Sequence, residues 1–303
     1  MFVSGWISKV AFFFLVASSF NVAGAAATDA GTPPSGGVTQ AEPVEAADPC
    51  YLAQVTPHTT RPNWDTPAAT TQCGAVEVDS GWMDQPMGGG VNQTQTLSSL
   101  RYGLTPKLDL RLGLTTHMTQ TGGGMQSLEG IGDQWVTARY RFVEQSAKLP
   151  AMAFLFGTKI PTANPAKGFG SGYVDHVFTF IASRDVGKNH LDFNVVGTIV
   201  GGPNGHDGAA QFGLALTRTV TEKLSWILES YGGPQTGTPD RFGAGFTGVS
   251  YAVRPTVVVD AAYSRTYTAG TPHEQYMFGC TYAIRSAFTP MAKGSAIARV
   301  LGR

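Results

Sequence analysis

The stretch GIGDQWVTARYRFVEQSAKLPAMAFLFGTKIPT, residues 130–162, decides the fold class of this chain. From Trp135 to Phe142 apolar side chains alternate with polar ones, which predicts a β-strand with one apolar face and one charged face. The apolar parity holds Val136, Ala138, Tyr140 and Phe142, and the polar parity holds Thr137, Arg139 and Arg141. The charged turn 144–150 then predicts a hairpin, and Pro161 ends its second strand because proline cannot donate to a sheet ladder.

The same alternation recurs from residue 74 to residue 284, with turn signals between the apolar runs. It predicts an all-β, antiparallel domain of about twelve strands. The predicted strands cover residues 74–85, 92–105, 108–120, 132–143, 151–161, 175–185, 190–201, 209–221, 224–232, 241–253, 256–267 and 274–284. Short connections roughly alternate with longer ones, which is typical of an up-and-down transmembrane β-barrel with short periplasmic turns and longer external loops.

Alternation by itself fits two folds, because the apolar face is the core of a soluble β-sandwich but contacts lipid in a membrane barrel. Three observations favour the barrel. Lysine is nearly absent from the strand interiors, although water-facing strands often carry it. Small residues fill much of the polar parity, as at Gly243, Gly245 and Thr247, and aromatic residues gather near strand ends, where interfacial girdles lie. We therefore predict a transmembrane barrel over residues 74–284, with a secreted soluble β-sandwich as the alternative.

The composition agrees with a membrane barrel and argues against a nucleic-acid partner. The chain has 21 basic and 21 acidic residues, so no net charge attracts nucleic acid. Charged residues make up 14% of the chain, against roughly a quarter in average soluble proteins. Beyond the N-terminus, no apolar run reaches the length of about 20 residues that a spanning helix needs.

The N-terminal residues predict an address outside the cytoplasm. Lys9, the apolar run 10–16 and the small residues 25–27 are typical of a secretory signal peptide over residues 1–27. Residues 28–48 lack large apolar side chains, which predicts a disordered segment. Prolines interrupt residues 49–73, so we predict a periplasmic linker over 28–73 and an outer-membrane location for the mature protein.

The three cysteines allow one disulfide and one buried thiol. Cys50 and Cys73 are 23 positions apart, and in an oxidising compartment they either form a bridge or remain two unrelated thiols. Cys280 lies within a predicted strand and is expected to pack as a small hydrophobic residue. The chain lacks the spacing of Cys and His residues that is typical of metal sites, and the sequence predicts no cofactor.

Several motifs resemble those of the meta-pathway phenol-degradation family, which are porin-like outer-membrane barrels of Gram-negative bacteria. The resemblance covers residues 74–284, and its most specific parts are the GIGD turn at 130–133, the KIPT segment at 159–162 and the Gly-Ser-Gly triplet at 170–172. It implies passage of small molecules rather than catalysis. The chain departs from this pattern after Ile284, where a basic tail, residues 285–303, follows as either an interfacial helix or an unstructured end.

The polar parity of the strands supplies candidate lumen-lining residues. They are Asp109, Arg111, Arg139, Arg141, Asp192, Glu229 and Asp260. One interpretation is a charged constriction that selects solutes. The other is a structural network in which arginines neutralise carboxylates inside a narrow barrel, and for any single residue we favour this second interpretation.

Three classes of function compete at this point. We predict a porin-like channel or transporter for small solutes, aromatic or hydrophobic ones included, with outer-membrane lipid and the solute as its partners. A structural or adhesive surface barrel is the first alternative. A membrane-embedded hydrolase is the second, with Asp175, His176 and Ser183 as its candidates, although no spacing sets a base beside a nucleophile. The sequence does not fix the oligomeric state.

Overall fold

The computed structural model describes residues 50, 55–235, 240–268 and 271–284, with the backbone alone described at residues 268, 271 and 272. The strands are β1 (Val76–Gly88), β2 (Val91–Thr105), β3 (Leu108–Gly122), β4 (Leu128–Gly130), β5 (Gln134–Val143), β6 (Ala151–Ile160), β7 (Asp175–Val186), β8 (Asn189–Gly202), β9 (Gly205–Thr219), β10 (Leu224–Pro234), β11 (Arg241–Arg254), β12 (Val257–Thr268) and β13 (Thr271–Ile284). The predicted signal peptide (1–27), most of residues 28–54 and the basic tail (285–303) lie outside the described residues.

The strands close into an antiparallel barrel. Each long strand pairs with the next along the chain, and β13 returns to pair with β1 from Val76↔Ile284 to Asp84↔Tyr276. The three-residue strand β4 pairs with β3 near its end, outside the ring, so the barrel has 12 strands. The predicted fold class, an up-and-down antiparallel barrel of about twelve strands, is confirmed.

The two faces of the strands are assigned as in a membrane barrel rather than a sandwich. On β5, Arg139 points inward and is 3% exposed, while its neighbour Tyr140 points outward and is 51% exposed. The same division holds on β8, where Asp192 is buried and Phe193 is exposed. Apolar side chains on the outside and charged ones inside are stable when the outside is lipid. The barrel is therefore of the outer-membrane type.

Strand β11 corrects one detail of this assignment. Gly243, Gly245 and Thr247 were expected in the lumen, but they face outward, and the Trp226 indole donates to the Thr247 hydroxyl across that outer surface at 2.9 Å. The inward positions are apolar instead, with Ala244 and Phe246 buried. The parity is reversed because this part of the lumen is lined by apolar side chains, so the more apolar face of β11 is the inner one.

The connections define two ends of the barrel. Connections 106–107, 144–150, 187–188, 220–223 and 255–256 lie at the end where β1 begins and β13 ends, and we call this the periplasmic end because short turns face the periplasm in such barrels. The external end carries the long connections 123–133 and 161–174. Two external connections, 89–90 and 203–204, have only two residues each. They are shorter than the sequence predicted because the flanking strands extend into the predicted turns.

The described part of the predicted linker lies inside the barrel. Residues 55–73, called the plug segment from here on, enter at the periplasmic end, where Val55 packs on Ala75 and Ala283. They rise to the level of Tyr231, against which Trp64 stacks, and return to Cys73 just before β1. Residues 55–73 belong to the predicted periplasmic linker 28–73, and inward side chains of the strands hydrogen-bond their backbone groups within the lumen. In the described part of the chain, no helix is long and apolar enough to cross a membrane.

Candidate functional site

The most buried ion cluster of the lumen lies near the periplasmic end. The Arg101 guanidinium, 1% exposed, reaches Glu77 at 2.8 Å and Asp79 at 3.1 Å. It also donates to the His58 carbonyl oxygen of the plug segment at 2.6 Å. Asp79 accepts further hydrogen bonds from Ser99 and Thr281. Every charge here has a partner, as burial requires, and the cluster joins the plug segment to β1 and β2.

Two of the predicted lumen residues, Asp109 and Arg139, form an ion pair at 2.5 Å. Asp109 also accepts a hydrogen bond from the Thr71 backbone N–H at 2.7 Å. Arg139 donates to the Pro67 carbonyl oxygen at 2.9 Å. The two charges therefore neutralise each other, and the pair holds the plug segment at Pro67 and Thr71.

Glu229 holds the top of the plug segment. Its carboxylate accepts hydrogen bonds from the backbone N–H groups of Trp64, at 3.1 Å, and Asp65. Two residues further along β10, Tyr231 stacks on the Trp64 ring with centroids 4.6 Å apart and planes nearly parallel. A carboxylate that accepts two backbone donors fixes a loop tip in one position.

Arg61 of the plug segment occupies a notch in the barrel wall. The notch is made by Gly81 and Gly279, which are paired across β1 and β13. A Cβ atom added at Gly81 would lie 1.9 Å from Arg61 Nη2, and one added at Gly279 would lie 2.5 Å from Arg61 Nε. Arg61 Nε also lies 3.7 Å from Oδ2 of Asp260, another predicted lumen residue. The absence of side chains on these glycines is what admits the guanidinium.

Asp192 is connected to the plug segment through the hydroxyl group of Ser183. The Ser183 hydroxyl donates to Asp192 at 2.5 Å and accepts from the Ala68 backbone N–H of the plug segment at 2.7 Å. The imidazole of His190 lies 3.1 Å from Asp192. Ser183 is seven positions from His176 on the same strand, and the His176 ring bonds to Thr158 instead. The hydrolase candidates therefore do not form a nucleophile–base pair in the described structure.

Arg141 lies at the rim rather than in the lumen proper. Its guanidinium reaches the Pro106 carbonyl oxygen at 2.9 Å and the exposed Glu144 at 3.1 Å. Thr70 of the plug segment donates to the same carbonyl oxygen. Of the seven predicted residues, Arg141 is thus the one whose side chain closes a turn at the periplasmic end.

The family motifs meet at the external end. Lys159 lies 3.2 Å from Asp133 and 2.5 Å from Asp175, and it donates to Ser171 at 2.8 Å. A Cβ atom at Gly170 would lie 2.7 Å from the Asp133 carboxylate. The GIGD, KIPT and Gly-Ser-Gly motifs therefore form one node that fixes the external loop 161–174 on the strands below it.

A disulfide joins Cys50 and Cys73. It closes a loop over a sequence separation of 23 residues, and that loop contains the whole plug segment. The covalent link holds both ends of the segment together at the periplasmic end. If the segment left the lumen, its chain entropy would be lower with this link than without it. By the loop-entropy relation, a link of this span therefore disfavours the segment outside the lumen by roughly 3 kcal/mol.

Replacing both cysteines, Cys50→Ser with Cys73→Ser, is expected to leave the barrel folded and to loosen the plug segment. The expected readout is faster chymotrypsin cleavage after Trp64, whose ring is stacked on Tyr231 in the lumen, in the double variant than in the wild type. The variant Cys280→Ser is the matched control, since Cys280 is a free thiol. Equal cleavage rates in all three proteins would show that the disulfide does not restrain the segment.

A cavity of about 700 Å³ lies in the lumen on the external side of the plug segment. Residues 60–66 form its floor. Its walls are mainly apolar and aromatic, and they include Met83, Leu97, Leu114, Trp135, Leu155, Tyr231, Phe242, Phe246 and Met277. Arg111, the last of the predicted residues, also lines it and donates to the Thr60 hydroxyl at 3.3 Å.

Sequence reasoning missed the residues of the Arg101 cluster and the Lys159 node. Glu77 and Asp79 alternate with Val76 and Val78 on β1, so the parity rule applied to the other strands would have found them. The plug segment itself has no periodicity to reveal it. Its signal is indirect, since a glycine inside a strand often marks the close approach of another chain segment, as at Gly81.

The comparisons with known proteins agree with this architecture. The family model described as "Putative MetA-pathway of phenol degradation" matches residues 83–275. The COG4313 outer membrane channel from Pseudomonas putida F1 shares the fold, with a TM-score of 0.56 and 13% identity over 72% of this chain and 98% of that chain.

Weaker likenesses were found to two further barrels. The translocator domain of the autotransporter NalP from Neisseria meningitidis gives a TM-score of 0.45 at 10% identity, covering 69% of this chain and 88% of that chain. The CymD monoaromatic hydrocarbon channel gives 0.40 at 8% identity, covering 72% and 90%. No curated protein matches the chain significantly. The family match spans well over half of the 303 residues, so the chain belongs to the family of the MetA-pathway of phenol degradation.

Proposed function

We propose that the protein is an outer-membrane channel for small, partly apolar solutes. The observation that carries this proposal is the lumen cavity of about 700 Å³. Sites for small molecules commonly measure about 300–1,000 Å³ and are lined by apolar and aromatic side chains with a few polar groups. The cavity on the external side of the plug segment has this size and this lining.

The wall chemistry supports a solute with an apolar body. Phe246 is buried at an inward position of β11, where a barrel that conducts only ions and sugars would be expected to carry polar groups. The family description, which refers to phenol degradation, agrees with an aromatic solute. No catalytic activity is assigned, and the sequence prediction of a non-enzyme is retained as part of the proposal.

Passage to the periplasm requires the plug segment to shift. Its hydrogen bonds and ion pairs reach inward side chains of β1, β2, β3, β5, β7, β8, β10 and β12. Such contacts occupy the cross-section of the lumen at the periplasmic half. In the described structure the lumen is therefore closed on that side.

Osmotic swelling of proteoliposomes tests the proposal. Liposomes containing the protein are expected to swell faster in phenyl glucoside, which has an apolar ring and crosses lipid poorly, than in sucrose. Rates equal to those of protein-free liposomes for both solutes, with the full-length protein and also with a variant lacking residues 55–72, would contradict a channel and favour the structural or adhesive barrel. Hydrolysis of lipid or ester substrates by the purified protein would favour the hydrolase.

A further inference from the structure

Arg111 is a partly buried lumen cation that has no ion pair among the described residues. It faces the cavity from β3 and lies directly opposite Arg101 on β2. Its one hydrogen bond in the described structure goes to the Thr60 hydroxyl, a neutral group. Arg61, Arg101 and Arg139 each reach a carboxylate within 4.0 Å, whereas Arg111 reaches none among the described residues.

The carboxylates of Asp79 and Asp109 already accept hydrogen bonds from other donors. Asp79 shares its two oxygens among Arg101, Ser99 and Thr281. Asp109 is taken up by Arg139 and by the Thr71 backbone N–H. A guanidinium carries five N–H donors in a planar fork, so most of the donors of Arg111 remain free beside the cavity.

The surroundings of Arg111 are aromatic on the external side. Trp135 is paired with Gly113, two positions from Arg111 on the same face of β3. A Cβ atom at Gly113 would lie 3.4 Å from the Trp135 Cβ atom, so the glycine leaves space beside the indole. Trp135, Phe246 and Met277 line the same cavity as Arg111. An anchor for an anion therefore stands beside a surface for an apolar ring.

We propose that Arg111 binds the carboxylate of a small aromatic acid whose ring lies against Trp135 and Phe246. A carboxylate matches the guanidinium fork in two parallel hydrogen bonds, and its negative charge compensates that of Arg111, which has no ion pair among the described residues. The inference rests on the proposed channel function and narrows its solute class from partly apolar molecules to aromatic monocarboxylates.

Equilibrium binding of benzoate to the purified full-length barrel tests this proposal, with quenching of tryptophan fluorescence as the readout. The variant Arg111→Gln is expected to lower benzoate affinity roughly 10- to 100-fold, the range for losing a charge-assisted hydrogen bond. Its affinity for benzyl alcohol, which has the ring without the charge, is expected to change little. Arg254→Gln is the matched control, because Arg254 is exposed at a periplasmic turn.

A second variant keeps the test decisive if Arg111→Gln does not fold. Arg111→Lys retains the charge but loses the planar fork, and it is expected to weaken benzoate several-fold. Equal benzoate affinity in the wild type and in either folded variant would overturn the proposal. So would a wild-type barrel that binds benzyl alcohol but not benzoate, although the channel function would then stand. Failure of both probes to bind, together with no swelling, would reject the channel function as well.

Discussion

The double variant Gly81→Val with Gly213→Val is expected to expel the plug segment and to raise single-channel conductance, since a 12-stranded barrel is wider than the eight-stranded ones that side chains fill. A Cβ atom at Gly81 would lie 1.9 Å from Arg61 Nη2, and one at Gly213 would lie 2.0 Å from the Asp65 carboxylate. Both contacts are far below van der Waals distance, so the Arg61 guanidinium and the Asp65 carboxylate must leave their positions, and the plug segment loses its seat against both glycines. Valine itself suits a strand.

The control for this variant is Gly245→Val. Gly245 faces outward on β11, and an added Cβ atom there meets open space. Its conductance is expected to equal that of the wild type. If the double variant folds, as judged by heat-modifiable gel mobility, and its conductance is unchanged, the glycine notches do not hold the plug segment.

Removal of the Arg101 charge has the largest expected effect on stability. Arg101→Met leaves Glu77 and Asp79, both at most 1% exposed, without their shared cation. Breaking a buried ion cluster by removing one partner costs about 3–5 kcal/mol. We expect the free energy of unfolding, measured by urea titration in lipid vesicles, to fall by that amount.

Arg254→Met serves as the control in that titration, because its side chain is exposed at a turn. Its effect is expected to stay within about 0.5 kcal/mol, the usual range for surface substitutions. An equally small effect for Arg101→Met would mean that water reaches Glu77 and Asp79 and that the cluster does not depend on its arginine.

The barrel could be predicted from the sequence because its signal is local. On β5 each side chain points away from its neighbours, so Arg139 and Tyr140 reveal two faces without any knowledge of the rest of the chain. The same rule predicted the inward direction of Asp109, Asp192, Glu229 and Asp260. It failed on β11, where both faces are weakly polar and the inner one holds Phe246.

The plug segment could not be predicted because its contacts are distant and irregular. Trp64 and Glu229 are 165 positions apart, and Arg61 and Phe278 are 217 apart. The segment has neither strand nor helix periodicity, and its prolines are equally typical of an external linker. From the sequence, we expected the charged lumen residues to neutralise one another. Arg139 does so with Asp109, but Glu229 instead accepts hydrogen bonds from the backbone N–H groups of Trp64 and Asp65.

We expect the lumen to be a solute pathway that residues 55–73 close. Planar-bilayer recordings of the full-length protein and of a variant lacking residues 55–72 test it most directly. The expected result is small or rare conductance steps for the full-length barrel and large, stable steps for the deletion variant. Equal conductance of two folded proteins, or a folded deletion variant that never conducts, would contradict it.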